Sequence, residues 1–115
     1  LASDQPDAAI ETLRSALRMD SSKAQTRNNL GFALVAAGRE QEALRVFKAA
    51  SRDPADAHYN VGVGLELRGS AAQATEAYER ALKSDPDHVS ARDALARLNR
   101  SDPPSTSPST PRSEP

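Results

Sequence analysis

The sequence predicts an all-α solenoid of antiparallel helix pairs with a disordered C-terminal tail. Three observations predict it: the chain repeats itself, glycine recurs where each first helix must end, and small residues recur where helices must touch. Sliding residues 24–54 onto 55–85 superimposes Asn29 on Asn60, Gly31 on Gly62, Leu34 on Leu65, Gly38 on Gly69, Ala43 on Ala74 and Ala50 on Ala81. Phe47 falls on Tyr78 and Leu30 on Val61 in the same register. At a spacing of 34, Ala9, Leu13 and Ala16 match Ala43, Phe47 and Ala50. Repetition at such intervals marks stacked supersecondary units, each too small to bury its own apolar face. The organisation that follows is a repeat domain over residues 1–100 and a tail over 101–115. Within the domain we read half a repeat at 6–20, whole repeats at 24–54 and 55–86, and a capping helix at 88–99.

Each element has a local reason. Residues 6–19, with Pro6 in a first-turn position, read as only the second helix of a pair, so Ile10, Leu13 and Leu17 are expected to be partly uncovered and the chain to be a piece of a longer array. Leu30, Ala33, Leu34 and Ala37 then follow helical spacing up to Gly38, which can take the left-handed conformation that ends a helix. Ala43, Leu44, Phe47 and Ala50 resume the period. The next unit repeats this with Val61, Leu65 and Gly69, after which Ser70 and Gln73 have the spacing of a capping box. Asp53-Pro54 and Asp85-Pro86 are expected to close the second helices, since proline cannot continue the hydrogen-bond ladder. The last helix sets Leu95 and Leu98 on one side and Arg92, Asp93, Arg97 and Asn99 elsewhere, a polar outer face suited to ending a stack. From Ser101 onward five Pro and seven Ser or Thr in 15 residues, without a large apolar anchor, predict disorder.

The expected core matches the composition. Hydrophobic residues are 37% of the 115 and aromatics 3%, so burial must come from many small contacts. Gly31, Gly62 and Ala96 share one place in the repeat, Ala9, Ala43 and Ala74 a second, and Ala16, Ala50 and Ala81 a third, which brings helix axes close. Leu30, Leu34, Val61, Leu65 and Leu95 are expected to interdigitate with Leu13, Leu17, Phe47, Tyr78 and Leu82.

Chemistry is mostly excluded. A net charge of -1 from 15 basic and 16 acidic residues, with no basic run, makes nucleic acid a poor partner. The lack of cysteine removes disulfides, thiolate nucleophiles and Cys-ligated zinc, and no apolar run approaches the roughly 20 residues of a membrane helix. His58 and His88, 30 residues apart without metal-ligand spacing, read as solvated side chains. No Gly-x-Ser-x-Gly turn presents a serine, and Gly62 and Gly64 lie within a helical pattern rather than after a strand. Neither catalysis, nor a cofactor, nor a metal is expected.

Asn-Leu-Gly at 29–31, Gly38, Ala43, Phe47, Ala50 and Asp53-Pro54, echoed by Asn-Val-Gly at 60–62, Gly69, Ala74, Tyr78, Ala81 and Asp85-Pro86, resemble the tetratricopeptide repeat. The resemblance covers residues 6–99. The first whole unit is three residues shorter than the family's period of about 34, the loss falling around Ser51–Ala55. Arg27, His58 and Arg92 stand where the family often has a large apolar residue, so their stems are expected to pack and their heads to stay wet.

The resemblance implies a protein-interaction scaffold whose first helices line a concave groove for a partner peptide or helix. That face would carry Gln25, Asn28, Asn29, Phe32 and Val35, then Asp56, Tyr59, Asn60, Val63, Glu66 and Leu67, and finally Asp93 and Arg97. Asn29 and Asn60 either bond a ligand's backbone or stabilise the array. Phe32, Val35, Tyr59, Val63 and Leu67 either meet an apolar ligand segment or contact further repeats. One subset of the family clamps the C-terminal carboxylate of chaperones with Lys, Asn and Arg. Here only Asn60 matches, with Asn28, Phe32, Ser90 and Ala94 at the other places, so that clamp is not expected. The alternative function is a regulatory or substrate-recruiting module of a larger enzyme or secretion machine, and a further one is homo-oligomerisation through the uncovered N-terminal helix. Ser107-Pro108, Thr110-Pro111 and a minimal PxxP in the tail are weak modification and docking signals.

Overall fold

The first helix of each whole pair is stopped by a glycine, and the stop is built the same way twice. In the computed structural model, which describes residues 4–20 and 23–100, Gly38 has φ 82° and Gly69 φ 88°. Around Gly38 the Arg39 amide donates to the Leu34 carbonyl at 2.8 Å and the Gly38 amide to the Val35 carbonyl at 2.9 Å. The Ser70 amide to Leu65 and the Gly69 amide to Glu66 repeat the pattern at 2.8 and 2.9 Å. These paired bonds satisfy carbonyls that a helix end otherwise leaves open, and they turn the chain back on itself. The result, among the described residues, is six helices and no strand: α1 (Asp4–Met19), α2 (Ala24–Ala36), α3 (Glu40–Ala50), α4 (Pro54–Leu67), α5 (Ala71–Ser84) and α6 (Val89–Arg100). None is long and apolar enough to cross a membrane. The tail at 101–115, with its expected disorder and its Ser-Pro, Thr-Pro and PxxP signals, lies outside the described residues.

Helices α2 and α3 form one antiparallel pair and α4 and α5 the next, with α1 against α2, α6 against α5, and α2 directly against α4. The recurring glycines explain the closeness of the pairs. The Phe47 ring of α3 sits on Gly31, and the Tyr78 ring of α5 sits on Gly62 with its Cε1 2.5 Å from where a Cβ would lie. Both rings are fully buried, as are Leu34, Val35, Ala43 and Ala74. Leu30, Val61 and Leu65 join them, while Leu13, Leu17, Leu82 and Leu95 pack at the margin. A second cluster, Ala55, Ala81 and Ala91, lets α4, α5 and α6 converge where nothing larger would fit.

Five expectations are corrected. Ile10 is only 1% exposed rather than partly uncovered. Ala9, Ala16 and Ala96 are exposed, because among the described residues no helix packs on those sides of α1 and α6. Asp53-Pro54 opens α4 rather than closing α3: Pro54 stands in the first turn, where its missing N–H is harmless, and the Asp53 carboxylate caps the helix by accepting from the Ala55 amide at 2.9 Å. Ser70 makes no side-chain cap bond, and Gln73 instead accepts from Arg68 at 3.3 Å. Finally, His88 is not solvated, as described next.

Candidate functional site

The shortened first unit lies at the end of α3, which has 11 residues where α5 has 14. Its early termination at Ala50 leaves Ser51 in an extended conformation beside the start of α4. The Ser51 hydroxyl accepts from the Asp53 amide at 3.3 Å and donates to Asp56 Oδ2 at 3.0 Å. Asp56 lies in the first turn of α4, where the helix dipole favours a negative charge. Its other oxygen takes Nε2 of His88 at 2.7 Å. The second ring nitrogen of His88 accepts the Ala91 amide at 3.1 Å, so the imidazole caps α6, and the neutral ring then carries its proton on Nε2. The His88 side chain is 10% exposed and Asp56 47%. Tyr59 stacks on the His88 ring at 5.4 Å and on Tyr78 at 5.6 Å.

These contacts floor a polar depression of about 380 Å³ lined by Asn28 of α2, Ala50 and Ser51, Asp56, Tyr59 and Asn60 of α4, and His88 and Ser90. It is open to solvent at the N-terminal ends of the first helices. Tyr59, Val63 and Leu67, spaced four apart, continue from it as a stripe along α4, with Val63 half-buried and Leu67 79% exposed. Among the described residues, the Asn28 and Asn60 side chains have no hydrogen-bond partner and are half-buried.

The residues singled out from the sequence separate into two groups. Tyr59 and Asn60 meet in the depression, Val63 and Leu67 lie along the stripe, and Phe32 is half-buried with its ring edge-on to Phe47 at 5.0 Å. Asn29 is exposed on α2. Val35 and Arg97 do something else. Val35 is fully buried, its Cγ1 2.9 Å from where Gly64 would place a Cβ, so it joins α2 to α4 and offers no surface. Arg97 of α6 donates from both terminal nitrogens to Glu66 of α4, at 2.7 and 2.9 Å, and the Tyr78 hydroxyl of α5 donates to the same carboxylate at 2.5 Å. Arg97 holds Glu66 below the usual carboxylate range, while burial, reinforced by Glu66, pushes the Tyr78 phenol up. Val35 and Glu66 occupy the same place in the repeat, and that place faces the next first helix rather than a groove.

Sequence reasoning missed His88 and Ser51 as lining residues. A signal existed: His88 precedes the last helix at the capping position, where Ser, Thr, Asn or Asp is usual. His58 is half-buried, and burial, followed by the positive charges of Lys48 and Arg80, holds its pKa below the ordinary value.

Comparison with known proteins bears on the same residues. Residues 1–60 match one family model described as tetratricopeptide repeat, and residues 55–88 match a second with the same description. No curated protein matches the chain. A helix-pair stack with glycine stops, ring-on-glycine contacts and two successive model matches leads to one conclusion: the chain belongs to the tetratricopeptide repeat family.

Proposed function

We propose that the depression and the stripe beside it receive a segment of a partner protein, so that the chain acts as an interaction scaffold rather than a catalyst. Repeats of this family are in general protein–protein interaction modules. The observation that carries the reading is the pair of half-buried amides, Asn28 and Asn60, which have no partner among the described residues although they flank a concavity. A primary amide offers both a donor and an acceptor, the complement of an extended backbone. Neither amide has a protein bond to give up, so a bound chain can use both its donor and its acceptor. The ledge of Tyr59, Val63 and Leu67 supplies apolar area next to those polar groups, the combination a peptide site needs.

Selection of a displayed peptide library on the whole chain tests this. Enriched peptides are expected to lose about tenfold in affinity on Asn60→Ala, the worth of a bond or two to a ligand backbone. Leu67→Ala is expected to weaken them further without lowering thermal stability, since that side chain is 79% exposed. Binders indifferent to both substitutions would place the interaction surface elsewhere.

A further inference from the structure

We infer that the depression at the head of α4 recognises a basic side chain, Lys or Arg, of the partner segment. This rests on the reading of the groove given above and adds the chemistry of its ligand. Among the described residues, Asp56 is the one fixed charge lining the depression, and no Lys or Arg lines it. Its two intramolecular bonds, to His88 Nε2 and to the Ser51 hydroxyl, use one lone-pair site on each oxygen, and with the side chain 47% exposed the remaining sites face solvent. The same bonds fix the carboxylate in place, so a donor arriving from a ligand meets an acceptor that is already oriented. The side-chain oxygens of Asn28 and Asn60 and the hydroxyl of Ser90 add neutral acceptors around it. Arg92, in the first turn of α6, donates to the Pro86 carbonyl at 2.9 Å and lies 3.8 Å from Asp87. An acidic ligand group would meet Asp56 with no Lys or Arg among the described lining residues to offset it. The stripe sets a spacing as well: Asp56 to Val63 spans seven helical residues, roughly 10 Å, which an extended peptide covers in about three residues. The fitting segment therefore carries a basic residue with an apolar residue three or four positions away.

The test is an array of acetylated octapeptides probed with the full chain. One position is Lys, Arg, Gln, Asp or Glu, the position three or four away is Leu, Val, Phe or Ala, and the rest are Gly and Ser. Lys and Arg spots with a large apolar partner are expected to retain protein. Remeasured in solution, they should lose about tenfold in affinity on Asp56→Asn, while the matching Gln peptides change less than twofold. Asparagine keeps an acceptor for His88, so an unchanged melting temperature shows that α6 is still capped. Retention of acidic or neutral spots at equal strength, or indifference of basic peptides to Asp56→Asn, would overturn the basic specificity while leaving a peptide groove intact. An array with no retained spot would overturn the groove and this inference with it.

Discussion

Gly31 and Gly62 each seat an aromatic ring where any side chain would stand. A Cβ at Gly62 would fall 2.5 Å from Tyr78 Cε1, and the Phe47 ring leaves no more room at Gly31. Both rings are fully buried and cannot swing out without opening the pair. Replacing either glycine by alanine gains roughly 1 kcal/mol of helix propensity, yet the overpacking it forces costs about 1–3 kcal/mol. Urea denaturation of Gly31→Ala and Gly62→Ala is therefore expected to show net destabilisation, relieved when Gly62→Ala is combined with Tyr78→Leu; additive losses would mean that the ring is not the obstacle. A different residue-scale effect depends on pH. His58 has its folded pKa below the ordinary 6.5, chiefly through burial. As pH falls through 6.5 the unfolded chain takes up a proton that the folded chain resists, so stability declines downward from that value and levels off below the folded pKa. The carboxylates act in a separate window: Glu42, bonded first to Arg39, and Glu66, bonded first to Arg97, have folded values below 4.5, so their contribution is present above 4.5 and is lost on further acidification. His58→Gln should flatten the fall in melting temperature between about pH 7.5 and about pH 5.5 and leave the steeper loss at lower pH unchanged.

At the scale of the element, what was legible in the sequence was what a single residue can enforce by itself. Gly38 and Gly69 had to be helix stops because their backbone is left-handed, at φ 82° and 88°, a conformation that costs other residues about 1–2 kcal/mol. Gly69 isolates that effect, since a Cβ there would meet nothing within 4 Å. Gly69→Ala should lower stability by that amount through backbone strain alone, with Gly69→Asn milder, and equal losses for the two in chemical denaturation would contradict this origin. Less local features were misread. Proline marks a helix end and a helix start equally well, so the sequence leaves open which helix Asp53-Pro54 belongs to, and the Asp53 cap places it at the start of α4. Ser70 had the sequence of a capping box, but Arg68 diverts Gln73 and also bonds the Val35 carbonyl at 2.8 Å and Glu40 at 2.9 Å, which no pattern within one helix encodes. The groove suffered most. Tyr59, Asn60, Val63 and Leu67 share one side of α4, whereas Val35 and Arg97, which the family resemblance would also set in the groove, contact a neighbouring first helix, because the direction a first-helix residue faces depends on how successive repeats are rotated. That rotation is a property of packed pairs, which no pattern within one helix encodes.

Over the whole molecule, the two junctions between successive first helices are made of different materials. Between α2 and α4 the contact is apolar, Val35 against the bare face of Gly64, with Arg68 reaching across to the Val35 carbonyl. Between α4 and α6 it is polar at both ends, Asp56 with His88 near the start and Glu66 with Arg97 about ten residues on, the latter also gathering Tyr78 from α5. Stability in a repeat array is close to a sum of unit and nearest-neighbour terms, so weakening one junction should loosen what lies beyond it before it loosens the rest. Glu66→Gln is the informative change. It removes the charge that Arg97 pairs with but keeps a carbonyl oxygen for the Tyr78 hydroxyl, leaving the ring on Gly62 and the α4–α5 pair undisturbed. Hydrogen exchange should then show faster exchange of the backbone amides of α6, Val89–Arg100, while those of α2, Ala24–Ala36, keep their rates. An equal acceleration in both helices would mean that the stack opens only as one unit and that its junctions are not separable. Confinement to α6 would mean that the last helix, which supplies His88 and Ser90 to the depression, can loosen while the core pairs remain folded, tying the completeness of the proposed binding surface to one exposed ion pair.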